Sequence, residues 1–483
     1  MRFRVFAVSL IFTLFLISKP LAAVPGDRLF PETGWRVGGR LLEFWDAGGG
    51  LPVFGLPLGP AANAATAEGT FAAQSFERER LELHPEQKAP YDVLLGRLGD
   101  ELLRRAGRNW RDENVGQPLP GTCQQFAQTN RSVCGLFLRY WQTHGLDFGD
   151  PGTSERESLA LFGLPLTVPR LETNSSGDQV LTQWFERARF EHHPEAPTAV
   201  LLGRLGAEST GQTTILLPEL IVSSVEQRVR QGHTTAFDAR LAGAVAMRGS
   251  LAGIALPFVR TASGWRSFAG VPVLTAPGRL LLRVEADLPD GRTIVNQTPL
   301  IVLDAGYPSE TINLPQEVRD RLANNAEAIR KEREQVNAIW PQVTPEQLHS
   351  GRFILPAQGR VSSHFGTRRS YNGGPFDSFH EGLDIANTTG TPIVAAGRGR
   401  VVLAEPDLLV RGGAVILDHG HGVHTGYWHQ SAILVRVGEI VEQGQIIGRI
   451  GAKGMVTGPH LHWDVRIGPT NVRPEEWVER EWR

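Results

Sequence analysis

The N-terminal part of this chain is written twice. One copy carries FPETGWRVGGRLLEFWDAGGG from Phe30, FGLPLG from Phe54, QSFERERLELHPE from Gln74 and VLLGRLG from Val93. The other carries FAQTNRSVCGLFLRYWQTHG from Phe126, FGLPLT from Phe162, QWFERARFEHHPE from Gln183 and VLLGRLG from Val200. Order is kept, and an insertion near Asp147 to Ser158 is the main difference. A duplication obliges both stretches to fold alike, each as one supersecondary unit. The repeat modules are placed at residues 28–107 and 121–208. In each, the segment ending in Phe44-Trp45 or Tyr140-Trp141 has helical apolar spacing, Phe-Gly-Leu-Pro reads as a turn, and the Phe-Glu-Arg segment alternates like a strand. Phe, Trp and Leu are expected to fill two small cores. Glu77-Arg78 and Glu186-Arg187 are expected to make local ion pairs, a substrate clamp being the alternative.

At 483 residues the chain exceeds one ordinary core, so further domains must follow. Residues 214–304 hold short apolar runs such as ILLPELIVSS, GIALPFVR, RLLLRVEADL and PLIVLD, separated by Gly, Pro and Asp. That pattern predicts a β-sandwich-like module. Residues 314–341 form a charged segment in which Leu322, Ile329 and Val336 recur seven apart, and Pro341 closes it. One packed connector helix is expected, with a short coiled coil as the alternative.

The first 23 residues read as an export signal: Arg2 and Arg4, an apolar core from Val5 to Ile17, then Leu21-Ala22-Ala23. That core is short for a bilayer span, and no Cys follows it. Export, with no stable membrane insertion after cleavage, is the expectation. In that compartment Cys123 and Cys134, the only cysteines, are expected to form a local disulfide. A formal net charge of −2 supplies no global positive field for nucleic acid.

Residues 351–478 are Gly-punctuated and strand-rich, which suits an antiparallel all-β domain and makes the whole chain multidomain and mainly β. This stretch holds FHEGLD with His380 and Asp384, GYWHQS with His429, and GPHLHWDV with His460 and His462. On a strand, His460 and His462 share one face while Leu461 points into the opposite layer. Alone, an HxH pair or an HxxxD pair is often a hydrogen-bonded core residue or a turn. Together they supply His and Asp ligands of the kinds a catalytic zinc takes, with histidines to spare for proton transfer.

From about Ser362 to Trp477 the sequence resembles the lysostaphin/LytM-type zinc metallopeptidases of bacterial peptidoglycan. The match includes SSHFGTRR, His380 to Asp384, GTPIVAAGRGRVV, ILDHGHGVHTGYWHQS, VEQGQIIGRIG and TGPHLHWDV. The resemblance implies one zinc ion held by His380, Asp384 and His462, catalytic histidines at His429 and His460, and a peptidoglycan peptide as substrate, in the wall, the periplasm or outside the cell. GYWHQS stands where the family often has Leu after the His, and Met455-Val456 replaces a commoner Ser pair. The repeats are similar to LGFP-type cell-wall repeats around the Trp and Phe-Gly-Leu-Pro region, which implies wall retention. GWRSFAGVPVLTAPGRLLLRVEA resembles the β-rich domain found upstream of wall peptidases. The alternative is a non-catalytic LytM-like regulator or wall-binding adaptor of other hydrolases. A zinc carboxypeptidase fits less well, because no Glu is suitably placed near His462. His364, His419, His421 and His424 are expected in loops or behind the ligands, with His419 supporting a ligand-bearing strand. His84, His192 and His193 belong to the repeats.

Overall fold

The two repeat copies build the same elements. Helices Gly39–Ala47 and Gly135–Thr143 bury Leu41, Phe44 and Trp45 in one copy, and Phe137, Leu138 and Trp141 in the other. An aromatic from the preceding strand meets each tryptophan edge-on, Phe30 on Trp45 at 5.1 Å and Phe126 on Trp141 at 5.2 Å. A four-stranded antiparallel sheet follows in each copy, Ala62–Ala65 to Val93–Leu95 and Arg170–Thr173 to Leu201–Leu202. The computed structural model describes residues 26–113, 119–193, 200–212 and 217–482, so the expected export signal at residues 1–23 lies outside the described residues. The chain divides into two compact units at Leu217–Pro218. Among the described residues no helix is long and apolar enough to cross a membrane.

In the first unit the Phe-Glu-Arg segment departs from its expected strand. It forms the turn between two strands, where Phe76 N–H donates to Glu79 carbonyl and Phe185 N–H to Ala188 carbonyl, both at 2.8 Å. The charged side chains explain the turn, because they reach across to the other repeat. Glu77 pairs with Arg204 and Glu186 with Arg97, each at 2.7 Å, whereas the local Glu77–Arg78 and Glu186–Arg187 contacts are 4.0 and 3.7 Å. The expected local pairs are therefore the weaker ones. Gly99 and Gly206 permit the approach, since a Cβ there would lie 1.9 Å from Phe185 carbonyl oxygen and 1.8 Å from that of Phe76. The Cys123–Cys134 disulfide joins directly opposed residues of a hairpin.

The second unit begins with two facing sheets, one of four strands from Ile221–Ser224 to Gly264–Gly270 and one of five from Arg228–Arg230 to Thr293–Leu303. The connector is two helices, Gln316–Asn324 and Ala326–Asn337, and not one. Asn325 breaks it at φ −113°, ψ 13°, consistent with asparagine side chains competing for backbone hydrogen bonds. The second helix ends at Asn337, ahead of Pro341. Its docked face also differs from the seven-residue spacing: Glu332, Val336, Ile339 and Trp340 are buried, Leu322 and Ile329 only partly.

The C-terminal sheet is antiparallel, as the alternating sequence requires. Its main strands are β1 (Arg360–Ser363), β2 (Leu383–Ala386), β3 (Gly399–Leu408), β4 (Gly412–Asp418), β5 (Val423–Ile433) and β6 (His460–Ile467), in spatial order β1-β2-β6-β5-β4-β3. One face sends Leu383, Ile385, Leu461, Trp463 and Val465 into a core that also takes Ala236 and Phe268 of the upstream sheets. The other face carries Leu403, Ala414, Ile416 and Trp428 under Val336 and Trp340 of the connector. Before His380 the chain forms a hairpin between strands Arg368–Tyr371 and Ser378–Phe379. Ser309–Ile312, from upstream of the connector, adds to that hairpin as a parallel strand.

Candidate metal centre

β2 and β6 pair so that Asp384 lies opposite His462 and Ala386 opposite His460. Directly opposed residues of an antiparallel pair project from the same face, which brings the Asp384 carboxylate against the His462 ring. His380 reaches the same point from the segment just before β2. His462 Nδ1 is 2.8 Å from Asp384 Oδ1, His380 Nε2 is 3.1 Å from the same oxygen, and the two nitrogens are 3.2 Å apart. Gly382 lets the strands close to this degree, because a Cβ there would sit 2.6 Å from His462 Nε2 and 2.5 Å from Trp463 carbonyl oxygen.

The donor set tests whether a cation fits. His380 Nδ1 lies 3.0 Å from His364 carbonyl and 3.1 Å from Ser363 Oγ. A proton on Nδ1 for that carbonyl leaves a bare lone pair on Nε2, facing another imidazole nitrogen and a carboxylate oxygen. Three electron-rich atoms converge, and donors so spaced each reach one ion at the ~2.0–2.2 Å that zinc takes to nitrogen and oxygen. The residues fit a divalent cation. Without a cation, burial raises the Asp384 carboxyl, and hydrogen bonds from His380 and His462, whose facing nitrogens then carry the protons, outweigh it and hold the group well below the usual carboxylate range. His380 is buried, while the Asp384 and His462 side chains are each 15% exposed, so one side of the cluster opens to solvent.

His429 and His460 stand beside it. The His460 ring lies 4.9 Å from that of His429, which in turn is 6.3 Å from that of His462. His460 Nε2 is 3.8 Å from Asp384 Oδ1. His460 Nδ1 is 2.9 Å from Gly458 carbonyl and His429 Nδ1 is 3.0 Å from Lys453 carbonyl. Each carbonyl selects the Nδ1–H tautomer and leaves Nε2 as the nitrogen a reacting proton meets. Burial first, then His462 and His460, push the His429 imidazole down to about 3.

Simple alternation does not place His429 on this face. Trp428 lies opposite His462 and shares its side of the sheet, so the next residue belongs on the other. A bulge corrects this. Between the pairs Tyr427–Val415 and Gln430–Gly413, β5 has one residue more than β4, and His429 takes φ +67°. Bulges re-aim side chains in this way. All five residues singled out from the sequence thus meet in one place.

Residues 378–474 match the family model of peptidase family M23. The C-terminal domain belongs to this family. The M23 domain is 39% identical over 123 residues to the peptidoglycan DD-endopeptidase ShyA of Vibrio cholerae, which covers 25% of this chain and 28% of that protein. It is 32% identical over 120 residues to the cell division protein DipM of Caulobacter vibrioides, 25% of this chain and 19% of that protein. The chain therefore spans about a quarter of the length of the curated relatives it matches. Among solved structures, the catalytic domain of lysostaphin from Staphylococcus simulans is 29% identical, covering 27% of this chain and 89% of that one at a TM-score of 0.21.

Two further histidines lie close to these elements. His364 is exposed and contributes only its carbonyl to His380. His419 is fully buried, its Nδ1 2.9 Å from Arg398 carbonyl and its Nε2 2.8 Å from Thr425 Oγ1 on β5. It thus supports the strand bearing His429 and not a ligand-bearing one. Arg411, whose carbonyl accepts His429 N–H at 2.8 Å, and Glu332, which binds Arg411, escaped the sequence reading. A glutamate amid the polar residues of a charged helix gives no signal of burial.

Proposed function

We propose that this chain is an exported zinc metalloendopeptidase that hydrolyses peptide bonds of bacterial peptidoglycan, retained on the wall through its repeats. What carries the reading is the convergence of His380, Asp384 and His462 with His429 and His460 at one partly open point of the M23 domain. His380 Nε2, Asp384 Oδ1 and His462 Nδ1 would hold one zinc ion. Such an ion supplies Lewis-acid polarisation of the scissile carbonyl and makes a water acidic enough to attack near neutral pH. The chain's own residues do the rest. Nε2 of His429 or His460 accepts the proton of the attacking water and returns it to the leaving amine. Whichever ring has taken that proton donates through it to the oxyanion of the tetrahedral intermediate before passing it to the amine. Lys453 and Gly458 carbonyls keep both rings in the tautomer this requires. The DD-endopeptidase name of ShyA supports the substrate class.

The test is digestion of purified sacculi by the full chain, followed by mass spectrometry of released fragments. Crosslinked peptides are expected to part with gain of one water per bond, to stop parting after chelation, and to resume on zinc addition. A zinc-loaded protein that releases nothing would sink the proposal in favour of the regulator.

A further inference from the structure

Glu332 takes no part in the chemistry above, yet its carboxylate is almost wholly buried, the residue being 5% exposed. It sits on helix Ala326–Asn337, outside the 378–474 stretch that matches the family. Its hydrogen bonds go to the turn between β3 and β4. The carboxylate accepts Val410 N–H at 2.8 Å and Arg411 N–H at 3.2 Å, and pairs with the Arg411 guanidinium at 3.0 Å. That guanidinium lies over the Trp428 ring, 5.3 Å from its centroid. A buried carboxylate so engaged holds its turn firmly, because charge-assisted hydrogen bonds are about twice as strong as neutral ones.

The same turn grips His429 from two sides. Arg411 carbonyl accepts His429 N–H at 2.8 Å. Val410 carbonyl accepts Met455 N–H at 2.9 Å, fixing the loop whose Lys453 carbonyl lies 3.0 Å from His429 Nδ1. His429 needs such restraint: at φ +67° it occupies a region that side-chain-bearing residues keep only when their surroundings impose it. We infer that Glu332 is a positioning residue for His429, setting its backbone and its tautomer through the Val410-Arg411 turn. A helix upstream of the M23 domain thereby completes the reaction centre. The inference rests on the hydrolysis by His429 proposed above.

The experiment uses the full-length, zinc-loaded chain with Glu332→Gln and Glu332→Ala. Glu334→Gln is the control, since Glu334 pairs with Arg330 on the exposed side of the same helix. Zinc content, kcat and KM on crosslinked wall peptides, and the ¹⁵N imidazole signals of His429 are measured, the last assigned by their loss in His429→Ala. Misplacement of a catalytic group by about 1 Å costs about 100-fold in rate. Glu332→Ala is expected to lower kcat about 100-fold and Glu332→Gln about 10-fold, with KM within about twofold and zinc content unchanged. The His429 signals are expected to move away from the Nδ1–H form in both. A folded Glu332→Ala with the control's kcat overturns the inference, and so does a kcat loss with unchanged His429 signals. Should Glu332→Ala fail to fold, the isosteric Gln variant decides by the same two readouts. If the wild type cleaves no wall peptide, the functional reading fails, while the imidazole signals still judge the link from Glu332 to His429.

Discussion

Asp384 Oδ1 lies 2.8, 3.1 and 3.8 Å from nitrogens of His462, His380 and His460, so three imidazoles crowd one oxygen. Distance alone separates their roles poorly, and the second nitrogen of each ring separates them better. His380 is committed through Nδ1 to His364 carbonyl and presents Nε2 to the carboxylate, whereas His462 presents Nδ1. His460 is turned by Gly458 and stands further off. Losing a donor of the trio should therefore differ in kind from losing a neighbour. His462→Ala is expected to lose zinc and hydrolysis together. His460→Ala is expected to keep one zinc per chain and lose about 10²–10⁴-fold in kcat, the usual worth of general acid–base catalysis. Zinc analysis of the two variants checks this, and equal metal loss in both contradicts it.

At the scale of elements, the strand pattern of the C-terminal sheet was legible at β6, where one face is core and the other carries the histidines. Leu461 and Trp463 mark the buried face, and His460 and His462 follow by alternation. What alternation could not convey is the extra residue of β5 that turns His429 onto the face of His460 and His462, since a bulge leaves no periodic trace. The repeats were legible as units, but Phe-Glu-Arg was misread because Glu77 and Glu186 are drawn to arginines of the other copy. The connector was misread for a related reason. Its heptad positions suggested one packed helix with Leu322, Ile329 and Val336 on a shared face, whereas only Val336 of the three is buried, beside Trp340 just beyond helix Ala326–Asn337. Trp340 is 1% exposed, edge-on to Trp428 at 6.3 Å and under the Arg466 guanidinium at 4.7 Å. Trp340→Ala is accordingly expected to destabilise the second unit by about 3–5 kcal/mol, the range for a large buried aromatic. A fragment starting at Gly351 should show at least as large a loss. Urea unfolding checks both, and a change below about 1 kcal/mol would show that the helix is a mere tether.

Across the whole second unit, the upstream sheets and the M23 domain share a core, and that seam has a consequence for pH. Phe268 of the upstream sheets meets Trp477 at 5.9 Å, and Trp477 Nε1–H donates to Thr234 Oγ1 at 3.1 Å. His349 lies in this seam, 3% exposed, against Phe353 and Trp477, and neither ring nitrogen has a hydrogen-bond partner among the described residues. Burial, then the nearby His421, pushes His349 down to about 4. Burial likewise brings His419 down to about 3, against the raising effect of its bond to Arg398 carbonyl. Both are neutral in the folded state at pH values where the unfolded chain, with histidines near 6.5, already binds protons. Because the folded values are depressed, their contribution to stability is complete above about pH 6.5 and is lost as pH falls from there toward about 4. Each histidine removes about 1.4 kcal/mol per pH unit over that window. Urea midpoints are expected to fall steadily from pH 7 to pH 4.5, measured with chelator present so that pH-dependent metal binding does not add its own slope. His349→Leu, which suits the apolar wall, is expected to flatten the slope by about one proton's share while leaving stability at pH 7 within about 1 kcal/mol. An unchanged slope in that variant would mean that His349 is hydrated or paired in solution, and that the seam between sheets and peptidase is wetter than its aromatic lining implies.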